Sequence, residues 1–514
     1  VCTSSAKGSN EALSSAIQQL NWRECKNGSK PGPIDIYWVG LGFDEQVYSK
    51  PGVYAVNKLP GMVELVQKVH LSRIIKRMQL LFPGEFDFYP PTWFLPEQYH
   101  QFVGEMTVNK KLTKRESQTY IVKPDTGSQG EGIHLVSDPR DVHAVVGARP
   151  AVVQKYIENP ILLDGYKFDL RMYVVVARLH PVEIYLCKDG LARLCTVPYE
   201  PPSATNINNT LMHLTNYSLN KNSGDFIHTT AANTGSKRTY SSARRSLRKQ
   251  GYNVDKIHDK IVDVVIKTVL SLIPDVTIWD HVTNKSKLVR SFQILGFDIL
   301  LTSDEKVHLL EVNSSPSTGI DAERETKPGS GVMQTIISPV DEQIKVPLLR
   351  DSLRLIAYVA SKKSPSNQAN KKLQNVVKPQ PHVGATEDGL FDFPSICPTQ
   401  PEVKENFSIQ EVTLLKRAAA VFIFFNGFKT SLRIGATAFR NMARRCRLCE
   451  QGSMPAVDIL FIDTMRQWRG YTESHQPAGL PFQGFLEALF RLAKSRFRGS
   501  TLKEKLESLL SNCE

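Results

Sequence analysis

The residues best suited to chemistry lie in one short hairpin. Phe297–Asp298–Ile299–Leu300–Leu301 runs into the turn Thr302–Ser303–Asp304–Glu305, and Val307–His308–Leu309–Leu310–Glu311–Val312–Asn313 returns. If Leu301 pairs with Lys306 across a four-residue turn, Asp298 faces Leu309, and Glu311 and Asn313 share its sheet face. Two carboxylates and an amide oxygen then converge. Hard oxygen ligands of this kind suit Mg²⁺ carrying nucleotide phosphates. Two like charges in an apolar hairpin are costly without a cation. The competing reading is an ordinary hairpin with exposed acids.

Two further segments carry usable patterns. Tyr120–Ile121–Val122–Lys123–Pro124 leads into Gly127–Ser128–Gln129–Gly130–Glu131–Gly132 and back through Ile133–His134–Leu135–Val136. Glycines let backbone N–H groups approach a phosphate with no Cβ in the way. No Gly-Lys-Ser/Thr ends the loop, so it is not a Walker loop. It reads as a hairpin lid over a triphosphate, or as a plain glycine-rich turn. In Lys167–Phe168–Asp169–Leu170–Arg171–Met172–Tyr173 the three ionisable residues fall at i, i+2, i+4. On a strand they share one face, and that is costly if buried unpaired. They form either a charged floor for nucleotide or acidic substrate, or a solvated edge.

These segments sit in a strand-rich region from Thr119 to about Ser315, interrupted by a helix over Val254 to Leu272. A strand over Ile34 to Val39 and a helix over Met62 to Met78 precede it. The pattern is α+β. The first 33 residues are polar and weakly patterned, and read as a poorly ordered N-terminal segment. Residues 34–118 form a smaller N-terminal α/β domain, and 119–360 the central and C-terminal catalytic part. Residues 361–405, rich in Lys, Ser, Asn, Gln and Pro, read as a linker, and 406–514 as a basic helical region.

Composition sets outer bounds. The 514 residues are 41% hydrophobic and 22% charged, a globular balance. No apolar run reaches the ~18 residues of a membrane span. Val1 suggests that the chain starts inside a longer protein, and eight cysteines are too sparse for a disulfide framework, so a reducing compartment is expected. A net charge of +13 favours a polyanionic partner. Between Lys416 and Arg447 there is no acid. Lys416, Arg417, Lys429, Arg433, Arg440, Arg444, Arg445 and Arg447 recur beside Phe422, Phe425, Phe428, Leu432 and Phe439. This reads as a pair of cationic amphipathic helices for an acidic protein surface, a membrane surface or nucleic acid, or as solvated helix faces. Cys446 and Cys449 form a lone Cys-x-x-Cys with no second pair to complete a zinc site.

Taken in order, the three segments resemble the ATP-grasp ligases. His213–Leu214–Thr215–Asn216–Tyr217–Ser218, Lys167-Phe-Asp-Leu-Arg and Glu311-Val-Asn-Ser-Ser-Pro-Ser resemble the tubulin tyrosine ligase-like family, over roughly Ile34 to Leu355. With Gly235–Ser236–Lys237–Arg238, the resemblance is to its polyglutamylase branch. It implies an ATP-grasp-type ligase core in which Lys123 binds nucleotide phosphate under a lid containing Gln129, Gly130, Glu131, Gly132 and Ile133. Gln154, Lys155, Tyr156 and Ile157 would hold adenine, Lys167 and Asp169 phosphate and ribose, and Thr215 with Asn216 would complete the site. Asp298, Glu311 and Asn313 would bind Mg²⁺. Arg171 and Arg193 join Lys123 as catalytic candidates. Free L-glutamate would be held by Arg193, Tyr217, Ser218, Lys237 and Lys345, although Thr318 to Ser338 is longer than such enzymes lead one to expect. The implied activity is ATP- and Mg²⁺-dependent addition of glutamate to glutamate side chains of acidic tubulin tails. The enzyme would be a monomer in the cytoplasm and cytoskeleton, at the cilium or basal body, with no nucleic-acid partner. A same-fold ligase adding glycine or tyrosine, and a catalytically silent microtubule adaptor, are the alternatives.

Overall fold

The computed structural model describes residues 1–6, 10–26, 35–40, 45–49, 53–113, 118–127, 130–143, 150–229, 234–284, 289–325, 332–361, 409–427, 431–449, 454–468 and 478–513. The expected linker, apart from Ser361, lies outside them.

Three sheets build the body. The first is parallel and joins β1 (Cys2–Ser5), β2 (Ile36–Val39), β3 (Ala55–Val56) and the late strand β12 (Arg290–Ser291). The second is antiparallel, in the order β4 (Thr92–Leu95), β7 (Ala151–Lys155), β5 (Tyr120–Pro124), β6 (His134–Val136). The third runs β11 (Lys237–Thr239), β10 (Val182–Leu194), β9 (Tyr166–Leu179), β13 (Gln293–Leu301), β14 (Val307–Asn313), with β8 (Leu162–Leu163) paired to β9.

The third sheet is buried on both faces, which is why Phe168 to Ala177 is a nearly continuous apolar run. Met172, Val174 and Val176 pack in one core with the Val254–Thr283 helix. Tyr173, Val175 and Ala177 pack in the other with the Pro339–Ser361 helix. The former helix runs beyond the expected Leu272, through Pro274, because Ile273, Val276 and Ile278 continue its buried face.

Two domain expectations need correction. Residues 1–33 are not a poorly ordered segment throughout. Cys2–Ser5 is a strand of the parallel sheet, and the Asn10–Gln19 helix packs on the Pro339–Ser361 helix. Ala12, Leu13, Ala16 and Ile17 form the buried face. Two of the four, Ala12 and Ala16, are small, so the apolar signal at helical spacing is weak. The boundary at 118/119 also moves, since β4 belongs to the second sheet and β12 returns to the first.

The tail is not a free pair of cationic helices. Ile409–Asn426, Ala436–Arg445, Met454–Gln467, Phe482–Arg496 and Leu502–Ser511 form five helices, and two loops pair through β17 (Arg433–Ile434) and β18 (Leu480–Pro481). Between β14 and the tail, β15 (Asp321–Glu325) and β16 (Met333–Ile337) make a hairpin, which accounts for the long Thr318–Ser338 stretch. Phe422 and Phe439 of the expected stripe are fully buried in a core continuous with that of the catalytic sheet. The helical unit docks on the Lys68–Leu81 and Val254–Thr283 helices.

A buried polar relay pins this docking. Arg77 donates to Gln483 Oε1, and Gln483 Nε2 donates to Asp275 Oδ2 at 2.6 Å. Gln483→Leu leaves the buried acid without its donor and Arg77 without its acceptor. A cost of about 3 kcal/mol is expected, visible as a lower urea midpoint.

Candidate active site

The second and third sheets face each other across a cleft lined by Lys123, Gln154, Lys167, Asp169, Asp298 and Glu311. Lys123 stands next to the end of β5, and its Nζ donates to Gln154 Oε1 at 2.8 Å. Lys167 donates to Tyr156 OH and to the His213 carbonyl, each at 2.8 Å, and lies 4.3 Å over the Tyr156 ring. Burial pulls both lysines down to about 8. Neither has a carboxylate partner in those bonds, so an anion entering between them would favour their charged forms.

Lys155, Ile157, Thr215 and Asn216 also line the cleft, as does Ile133 at the end of the lid. Gly130, Glu131 and Gly132 of the expected lid do not line the cleft, and Glu131 and Gly132 are exposed. Gly130 has φ +87°, and a Cβ there would meet Leu219 Cδ1 at 2.8 Å. Gln129 lies outside the described residues.

The floor is a grid of alternating charge across three strands. Asp298 is opposite Arg171, and Asp169 opposite Arg193. Arg171 grips Asp298 with both ends of its guanidinium. Arg193 Nε donates to Asp169 Oδ1 at 2.8 Å, and its Nη2 reaches Asp298 Oδ2 at 2.8 Å. Burial alone would raise Asp298, but Arg171 and Arg193 overcome it and hold the carboxyl well below the usual range. The expectation that Lys167, Asp169 and Arg171 share a face is met. Lys167 and Asp169 are buried and Arg171 half-buried, with Asp169 and Arg171 held in ion pairs and Lys167 in hydrogen bonds, so the solvated-edge reading is wrong.

The hairpin register differs by one residue from expectation. Leu301 pairs with Val307, and a bulge between Asp298 and Ile299 brings Asp298 opposite Glu311 rather than Leu309. The bulge leaves the convergence intact, because directly opposed residues share a face. Asn313 Nδ2 donates to Glu311 Oε1 at 3.1 Å. Burial, with the Asp298 charge behind it, pushes Glu311 up.

A second cluster adjoins the grid. Lys237 is the cross-strand partner of Arg193 and lies 4.2 Å over the Tyr217 ring. It pairs with Asp341, whose other oxygen is 2.8 Å from Lys345 Nζ. Lys345 also donates to the Gly319 carbonyl at 2.6 Å. Ser218 follows Tyr217 in the same short helix.

Sequence reasoning overlooked Lys68, His213 and Asp341. Lys68 opens the Lys68–Leu81 helix, and its charge acts on both Glu311 and Lys123. The next residue fastens that helix to the base of the lid, Val69 N donating to Asp125 Oδ1 at 2.8 Å. His213, drawn down to about 4 by burial and Lys167, is neutral and bonds Tyr156. Two left a sequence trace: His213 opens the His213–Ser218 run, and Asp341 stands one helical turn before Lys345.

Buried phosphate-suited lysines, a glycine lid and an acid pair on this α+β scaffold define an ATP-grasp-type ligase core. A family model described as "Tubulin-tyrosine ligase family" matches residues 46–352, and one described as "Tubulin polyglutamylase TTLL11, EF-hand" matches residues 401–514. The chain is 42% identical over 528 residues to the tubulin polyglutamylase TTLL11 of Homo sapiens, covering 100% of this chain and 73% of that protein. It is 32% identical over 524 residues to the tubulin polyglutamylase ttll-11 of Caenorhabditis elegans, covering 100% and 72%. To the tubulin polyglutamylase TTLL6 of Homo sapiens it is 37% identical over 349 residues, covering 67% and 36%. The chain belongs to the tubulin-tyrosine ligase family, which implies an ATP-using ligase.

The EF-hand likeness of the tail does not extend to calcium chemistry in its first loop. An EF-hand loop takes carboxylates at several of its twelve positions. The loop between Asn426 and Ala436 has none, and no acid occurs anywhere from Lys416 to Arg447. Turnover is expected to be equal in excess EGTA and in saturating Ca²⁺, measured with Mg²⁺ fixed.

Proposed function

We propose that this protein is an ATP- and Mg²⁺-dependent protein–glutamate ligase that adds glutamate, through isopeptide bonds, to glutamate side chains in acidic tubulin tails. The relatives named above are tubulin polyglutamylases. The observation that carries the reading is the Arg171–Asp298–Arg193–Asp169 grid, which joins the nucleotide cleft to a cluster with the cations for a dicarboxylate.

Asp298, Glu311 and Asn313 form a hard-oxygen donor set, and the buried Asp298 facing the half-buried Glu311 fits a cation. When bound there, Mg²⁺ would offset the charge of the nucleotide phosphates. Lys123 and Lys167 add fixed positive charge beside the phosphates. The acceptor carboxylate oxygen attacks the γ-phosphorus of ATP, and ADP leaves. The amine of free glutamate then attacks the acylphosphate carbon, forming the C–N bond and releasing phosphate. Ile133, at the end of the glycine-rich segment, lines the cleft, and closure of that segment would keep water from the acylphosphate. Lys237 and Lys345 favour glutamate over glycine, which lacks a second carboxylate.

The test is purified protein with microtubules, ATP and radiolabelled amino acids, the products mapped by mass spectrometry. Glutamate incorporated on tail glutamates is the expected result. Incorporation of glycine or tyrosine instead, or none, overturns the reading.

The tail supports a microtubule contact on the cytoskeleton. Arg440 is spent on Asp458. Arg444 and Arg445 are exposed, with no ion pair among the described residues, and line a hollow with Phe425 and the 67%-exposed Phe424. Arg444→Glu with Arg445→Glu should weaken cosedimentation with microtubules several-fold in low salt and leave ATP affinity unchanged. The difference should vanish as salt shortens the screening length below about 8 Å. Equal cosedimentation at every salt concentration would make these helices ordinary solvated faces.

A further inference from the structure

We propose that Asp341 holds the α-ammonium of the incoming glutamate and takes its proton before attack; this rests on the glutamate reading above. Asp341 is 2% exposed, in the first turn of the Pro339–Ser361 helix, with one lysine on each carboxylate oxygen. Lys237 and Lys345 come from different elements, one from β11 and one from the helix itself. The triad therefore has two cations flanking one anion. Free glutamate is its charge mirror, two carboxylates flanking one ammonium. Exchange of partners leaves every charge matched: the ligand carboxylates take the lysines, and the ligand ammonium takes Asp341.

A buried ion cluster is rarely justified by stability alone, since apolar residues of similar volume commonly do as well. This one adjoins the reaction floor. Lys237 lies across from Arg193, which contacts Asp298, and the Tyr217 ring under Lys237 limits the space for a ligand. Once the lysines turn to the ligand carboxylates, Asp341 loses the cations that hold it low and becomes a better base. It accepts one ammonium proton. The freed lone pair forms the C–N bond at the acylphosphate carbon, and the C–O bond to phosphate breaks with its electron pair. The second N–H proton leaves with the phosphate.

Glutarate, which is glutamate without the amine, separates this role from general support of the lysines. In the wild-type protein glutarate should inhibit competitively with glutamate, with a Ki at least ten-fold above the glutamate KM. Equal constants would overturn the proposal without any variant. Asp341→Asn should raise the glutamate KM at least ten-fold, while glutarate Ki and ATP KM stay within about two-fold. If glutarate Ki rises in proportion to glutamate KM, Asp341 only positions the lysines and the proposal is wrong. Failure of the glutamate reading is distinct: the wild-type protein would then show no saturable glutamate incorporation.

Discussion

Glu311→Gln is expected to lower the ligation rate on the order of a thousandfold, about 4 kcal/mol of barrier, while leaving the fold at least as stable. Gln has the shape of Glu and keeps an oxygen for the Asn313 amide, which donates to Glu311 at 3.1 Å. What it removes is one of two facing charges in the set proposed for Mg²⁺. The stability expectation follows from linkage. Burial and Asp298 push the Glu311 carboxyl up, so the folded state favours its neutral form. That preference supports folding below the unfolded value and is lost as pH rises through the folded one. A permanently neutral side chain escapes the loss at neutral pH. Rate is measured by radiolabelled glutamate incorporation across a Mg²⁺ titration, and stability by urea unfolding without nucleotide. Unchanged turnover with normal Mg²⁺ dependence would remove the metal assignment. Lost turnover with a collapsed unfolding midpoint would make Glu311 structural.

The parts of this site legible in the sequence were those carried by short-range periodicity. Alternation of two put Lys167, Asp169 and Arg171 on one face, and that face is charged as expected. The same alternation brought Asp298, Glu311 and Asn313 together despite the missed bulge, because the turn and the bulge errors offset in which face each residue presents. What the sequence concealed was register between distant strands. Nothing local says that Arg193 lies opposite Asp169, or that a strand at 290 pairs with one at 55. The tail misled for a related reason. Its aromatic spacing is genuinely helical, but Phe422 and Phe439 face a core built with helices near 485 and 510, not a membrane or an open partner. Lys68 was invisible because its importance comes only from where the helix start points.

Arg193→Ala should damage nucleotide and glutamate sites together, rather than raising the KM for glutamate alone as a free carboxylate-binding arginine would. The guanidinium is shared between Asp169, on the nucleotide side, and Asp298, in the proposed metal set. It thus fixes two acids that lie on neighbouring strands. A forked, planar cation can bridge two carboxylates in this way, and a lysine cannot reproduce both contacts. Removing it leaves, among the described residues, Asp169 with no ion-pair partner and Asp298 with Arg171 alone. Both acids are nearly inaccessible to water. Stripping a buried charge of its partner typically costs 3–5 kcal/mol, so a loss of about 3 kcal/mol is expected in urea unfolding. Arg193→Lys should recover part of that stability but little of the activity, because one contact of two returns. The KM for ATP should rise by at least as large a factor as the KM for glutamate. A rise confined to glutamate, with unfolding unchanged, would mean that the arginine swings away from Asp169 and Asp298 in the working enzyme and meets the amino acid directly.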